Sequence, residues 1–402
     1  MREMRARRLA PLLFAIIVLV SAAWLLRPYA HGLSFVVRAA GVEGTARRVA
    51  AFDTTATSER EIIIPTGSGP LRARVYEPSR PPHRSALLVS GLHPAGIDEP
   101  RLVELARHLS VSGLTIVTPD ISELSHFELT PTITDAIEQA GAWLSGEAAL
   151  APDHQVGLMG IGVSGGLSIV AAGRPAMAGR VAFVLSFGGH DDLPRVLRYL
   201  CTGVEPRPSN QLRLKADTTR GDPTAFVLPP DPYGLAGLLL GLAHRVVPAA
   251  QVEPLRDAIR RFLSAPPRAL ADAQQADAEV ESLRSAAKRM PEPSATLLRY
   301  VYARDVAHLG ARLLPHVNAY GGDPSLSPSR SPKPSVPVFL LHQADDNFVP
   351  AVESEYLAEA LHGHAPVRLL LSGLAFPAEG GRRMDTGEVL KLAGFWGDLL
   401  SR

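Results

Sequence analysis

Between Glu61 and Gly189, apolar strand-like runs alternate with helical patterns, and that alternation restricts the chain to a small set of folds. EIIIP and LRARVYEP form an opening antiparallel pair around the turn Thr66-Gly67-Ser68-Gly69. SALLVSG (85–91), LTIVTPD (114–120), VGLMGIGVS (156–164) and VAFVLSFGG (181–189) are nearly continuous apolar runs, the pattern of strands covered on both faces. Helical patterns separate them, near 101–110, 133–144 and after Gly165. VPVFLLHQAD and VRLLLSG supply two further strands after a long interval. The reading is an α/β chain with a mostly parallel sheet and helices on both faces.

The interval 191–335 carries no strand signal. It holds LPRVLRYLC, YGLAGLLLGLAHRVV, VEPLRDAIRRFLS, ALADAQQADAEVESLRSAAKRM and ATLLRYVYARDVAHLGARLL, and is read as an inserted helical cap. Two stretches, 205–223 and the Pro- and Ser-rich 321–337, are expected to be poorly ordered linkers. The sheet domain is then 61–190 completed by 336–402, with 28–60 as a linker or stalk.

Leu9 to Leu26 is an uncharged apolar stretch, roughly 27 Å long as a helix, close to a bilayer's hydrocarbon thickness. Arg2, Arg5, Arg7 and Arg8 precede it and only Arg27 follows closely, which places residues 1–27 as a cytoplasmic start and transmembrane helix with the body outside. A cleaved signal peptide shares these features; bulky Trp24, Leu25 and Leu26 at its end favour retention. The eight apolar residues Leu235 to Leu242 are too few to span. A net charge of +1 gives no support to a nucleic-acid partner. The single Cys201 offers no internal disulfide, no cluster at metal-ligand spacing appears, and no cofactor is expected.

Gly162-Val163-Ser164-Gly165-Gly166 matches the pattern G-x-S-x-G directly after VGLMGI and before a helix-competent run. In that strand–turn–helix context the serine stands on a strained turn at the carboxyl edge of the sheet. LLVSGLHPAG and FLLHQADDNFVP are two further motifs at strand ends. Together the three resemble the α/β-hydrolase superfamily over about 60–190 and 336–400. The resemblance implies a serine hydrolase with Ser164 as nucleophile, the N–H groups of Leu92 and Gly165 as oxyanion hole, and Asp346 as triad acid, with Asp345 its neighbour and competitor. Gln343 stands where the family usually has glycine.

The resemblance also requires a histidine after VRLLLSG, near Phe376 or Pro377, and none occurs after His364. His362 and His364 precede that strand, so about 23 Å of extended chain separates them from the carboxyl edge. His93, His126 and His190 follow strands at the correct edge. His190 is the first choice as surrogate base, with local structural roles as the alternative for all three. Loss of a triad member costs about 10⁴- to 10⁶-fold in rate. Three functions are therefore open: an anchored hydrolase of a small-molecule or lipid-like acyl substrate, a non-catalytic binding protein of the same fold, and a scaffold that works through the cap.

Overall fold

A computed structural model describes residues 26–41, 44–80, 84–204, 229–264, 273–373 and 386–402. Eight strands form one sheet: β1 (Thr57–Thr66), β2 (Gly69–Pro78), β3 (Arg84–Val89), β4 (Leu114–Pro119), β5 (Val156–Ile161), β6 (Val181–Phe187), β7 (Val338–Gln343) and β8 (Val367–Ser372). Their order is β1-β2-β4-β3-β5-β6-β7-β8. β2 runs antiparallel to β1 and β4, and β3 to β8 are parallel.

Period-two alternation divides the strand side chains between two cores. Leu87, Val89, Leu158, Val184 and Leu340 face one side, where the helices Pro131–Gly146, Val163–Ala172 and Val352–Leu361 cover them. Ala86, Leu88, Met159, Phe183 and Phe339 face the other, under Pro100–Val111 and Thr386–Leu400. Covering both faces is why these strands read as continuous apolar runs. The order reverses between β3 and β5, so a crevice opens beyond their carboxyl ends, where open α/β sheets bind ligands.

Among the described residues no strand lies between β6 and β7, and the insertion is helical as expected. Pro232–Val246 is apolar nearly all round and is buried from Gly234 to Ala243, packed against Leu193–Thr202, Ala249–Leu263 and Val306–Leu313. The pattern ATLLRYVYARDVAHLGARLL divides into Ser294–Tyr302 and Val306–Leu313. Arg304 between them adopts a left-handed φ of 54°, and the Asp305 carboxylate caps the second helix by accepting from His308 N–H.

Two expectations about linkers change. The stretch 321–337 is built structure: Pro324–Leu326 and Pro328–Arg330 are short 3-10 turns, Leu326 is buried, and Ser327 Oγ accepts from Leu193 N–H at 3.0 Å. Arg330 pairs with Asp192 at 2.7 Å. Proline fixes φ, and serine supplies the local hydrogen bonds that replace a ladder, so this composition suits a tightly packed corner as well as a loose linker. The stalk expected over 28–60 is also absent as such. A helix over 26–39 packs on the body, and β1 already begins at Thr57. The other linker, 205–223, lies outside the described residues, as does the apolar stretch Leu9–Leu26 apart from its last residue. Among the described residues no helix is long and apolar enough to cross a membrane.

Where the chain enters the insertion, Glu353 is fully buried and accepts from the N–H groups of Asp191 and Asp192 and from Arg195 Nε and Nη2. Burial pushes the Asp191 carboxyl from 3.8 up to about 6, against the pull of Arg195 at 3.0 Å. A carboxyl whose proton is held more tightly when folded contributes most stability below about pH 3.8, and that contribution is lost as pH rises through about 6. Asp191→Asn, which keeps the neutral form at every pH, should therefore gain melting temperature relative to wild type between pH 4 and pH 7. A difference that stays flat over that interval would remove Asp191 as the titrating group.

Candidate functional site

β5 ends at Ile161 and the next helix begins at Val163, so Gly162 alone makes the turn, with φ 58° and ψ −132°. That region is open to glycine and strained for other residues. The turn is held by Gly162 N–H donating to Phe187 O at 2.7 Å. Strand and helix approach most closely between Gly160 and Ser164: a Cβ on Gly160 would fall 2.1 Å from the Ser164 carbonyl oxygen. The tight turn is thus framed by Gly160-Ile161-Gly162-Val163-Ser164, two residues earlier than the sequence motif suggests. The position at its apex, where the resemblance places the nucleophile, is Gly162.

Ser164 lies one turn down the helix with 0% of its surface exposed. Its hydroxyl donates to Ser90 O at 2.6 Å, joining the helix to the loop after β3. It lines neither cavity described below. Gly165 is displaced in the same way, since its N–H donates to Gly162 O at 2.9 Å inside the turn. The residue that follows the apex is Val163. Of the two expected oxyanion donors, only Leu92 borders the crevice.

The crevice is a cavity of about 220 Å³ beyond β3 and β5, floored by Gly91, Gly162 and Val163 and walled by Leu92, Phe348 and Asp346. Its rim carries His93, Glu99 and Arg101. An apolar slot of about 20 Å³ continues from Leu92, Val163 and Phe348 under the cap, against Leu193, Leu197 and Leu238. A Cβ on Gly162 would meet no atom within 4 Å, so the apex has room for a side chain that the sequence does not provide.

Asp346 follows the end of β7 and borders the cavity. Its Oδ1 accepts from Phe348 and Val349 N–H at 2.9 and 3.0 Å, and it is 26% exposed. Oδ2 lies 3.6 Å from His342 Nε2. That ring is fully buried on β7. Its Nε2–H points to Val349 O at 2.9 Å and Nδ1 accepts from Ser354 Oγ at 2.7 Å, so His342 braces the acid loop from behind. Asp345 accepts from Gln343 Nε2 and is absent from the cavity wall.

His190 makes no hydrogen bond to Ser164. It is fully buried behind the turn, where its ring leaves no space for a Cβ on Gly166, and its Nε2 donates to Leu326 O at 2.8 Å. Burial pulls its pKa below the usual histidine value. His126 is exposed at the end of the short helix Ser122–Ser125, and His362 and His364 are exposed before β8. His93 alone among these borders the cavity. Burial lowers its pKa, and its Nδ1 accepts from Ala95 N–H, which leaves the proton on Nε2. The segment that would carry the family's histidine, 374–385, falls outside the described residues and contains no histidine in its sequence. Among the described residues no group of three or more His, Cys, Asp or Glu could hold a metal ion.

The sequence reading missed Gly162 as the apex, although one signal was available. The apolar run VGLMGI ends at Ile161, and the turn residue is the first after the strand. Arg101, Glu99 and Phe348 were also missed, because their place in the wall depends on how loops from three strands converge.

No protein-family model and no curated protein matches the chain. Solved structures do. An esterase from Pyrobaculum calidifontis aligns over 94% of this chain and 93% of its own, at 13% identity and a TM-score of 0.43. A thermostable carboxylesterase cloned from a metagenomic library aligns over 94% and 97%, at 14% identity and 0.45. The acylaminoacyl peptidase of Pyrococcus horikoshii aligns over 89% of this chain and 43% of its own, at 11% identity and 0.43. The antiparallel second strand, the reversal of order at β3 and β5, the one-residue turn after β5 and the helical insertion after β6 give this chain the α/β-hydrolase fold.

Proposed function

We propose that this protein is an α/β-hydrolase-fold binding protein, tethered to a membrane by Leu9–Leu26. It holds a small, partly apolar ligand in the cavity above Gly162 without forming a covalent acyl intermediate. One observation carries the reading: the apex of the strand–helix turn is glycine, and the nearby serine hydroxyl is buried and committed to Ser90 O. A serine attacks only when its hydroxyl reaches the substrate carbonyl and a base takes its proton. Ser164 meets neither condition here, and the remaining cavity wall suits recognition: a polar rim of His93, Glu99 and Arg101 over an apolar slot under the cap. Ester hydrolysis by Ser164 would require this turn to unwind by two residues.

Labelling with a fluorophosphonate probe tests the reading. Wild type and Ser164→Ala should both remain unlabelled, and hydrolysis of p-nitrophenyl acetate should be the same for the two. Labelling of wild type that disappears in Ser164→Ala would overturn the proposal in favour of a serine hydrolase.

A further inference from the structure

The helix described over 26–39 includes Leu26, the last residue of the apolar stretch Leu9–Leu26. Its inner face is fixed on the C-terminal helix Thr386–Leu400. Phe35 meets Trp396 with ring centroids 4.4 Å apart, and a Cβ on Gly32 would fall 1.9 Å from Ala393 O. One row of this helix is apolar, with Leu26 and Leu33 exposed and Ala30 and Val37 half-buried, where a surface helix normally carries polar groups.

The segment 45–53 packs beside this helix. Ser34 Oγ donates to Ala50 O at 2.6 Å, and His31 lies 6.4 Å from Phe52 between ring centroids and pairs with Asp53. Leu26, Val49 and Phe52 are 63%, 67% and 65% exposed. Arg27, Arg47 and Arg48 are exposed around them.

We infer that this surface rests on the outer face of the bilayer, with Leu33, Val49 and Phe52 at the boundary of headgroups and acyl chains and the three arginines on lipid phosphates. The inference rests on the anchoring reading of Leu9–Leu26 and goes beyond it: the body is clamped to the membrane, not suspended on a stalk. Continuity identifies the occupant. The exposed apolar side chains follow directly in sequence on the apolar stretch, which holds them near the membrane surface once that stretch is inserted. Apolar side chains ringed by arginine are the composition of interfacial segments on anionic membranes.

The test uses the full chain reconstituted into phosphatidylcholine–phosphatidylglycerol vesicles, with an environment-sensitive fluorophore on Leu33→Cys, Ala51→Cys or, as a reference on the cap, Val204→Cys. The native Cys201 is buried and should not react. Lipids brominated on the acyl chain should quench the labels at 33 and 51 several-fold more than the label at 204. Val49→Glu with Phe52→Glu should abolish the excess at 51, and Arg47→Glu with Arg48→Glu should reduce it. Equal quenching at all three positions in a chain that still floats with the vesicles would overturn the clamp while leaving the anchor intact. A chain that does not float, or whose intact mass lacks the first 26 residues, would refute the anchor and the clamp with it.

Discussion

Glu353→Ala is expected to lose about 3–5 kcal/mol of stability, the usual cost of removing one partner from a buried ionic pair. The carboxylate accepts from two backbone N–H groups and two guanidinium nitrogens, and it is fully buried. Without it Arg195 keeps the carboxylate of Asp191, while the N–H groups of Asp191 and Asp192 lose the Glu353 carboxylate as acceptor. The damage falls at the joint where the chain leaves β6 for Leu193–Thr202, whose Leu193 and Leu197 line the apolar slot. Urea denaturation should show the loss as a lowered midpoint, and Glu353→Gln should lie between, since an amide oxygen still accepts but carries no charge. A loss below about 1 kcal/mol in Glu353→Ala would show that Asp191 suffices for Arg195.

Gly160→Ala should destabilise by about 3 kcal/mol or more, at or beyond the upper end of ordinary overpacking, because its Cβ would meet backbone atoms that cannot rotate away. The Ser164 carbonyl oxygen and carbon would lie 2.1 and 2.4 Å from it. Gly162→Ala should cost about 1–3 kcal/mol, the strain of φ 58° with ψ −132° in an L-residue, with no added clash because its Cβ enters open cavity. The order of the two losses in thermal or urea unfolding reports which residue stands at the apex. An apex at Ser164 would reverse it, making Gly162 the close-packed position.

Much of the fold was readable from pattern alone. The runs at 85–91, 114–120, 156–161 and 181–189 are apolar throughout because helices cover both sheet faces, and that burial leaves a direct trace in composition. The position of Asp346 was readable for a related reason. It lies just beyond a buried strand, where the next N–H groups turn back onto its carboxylate. The corner at 324–330 was not readable, because proline and serine look alike in a loose linker and in a packed turn. Only contacts with His190, Asp191 and Asp192 make it the latter. The docking of the 26–39 helix was hidden too, since its partner surface lies some 360 residues away in the chain.

The feature that mattered most for function sits between these cases. Glycines at 160, 162, 165 and 166 make the segment locally compatible with a sharp turn at either of two places. The sequence by itself determined that a strand, a tight glycine turn and a helix would follow one another near Ser164. Only the sheet decided the register. Pairing of Gly160 with Val89 and of Ile161 with Phe187 carries β5 through Ile161, so the turn falls on Gly162 and Ser164 is drawn into the helix beneath it. Local propensity cannot distinguish two frames of one glycine-rich segment; long-range hydrogen bonding between strands can, because shifting the frame would break the ladder on both sides.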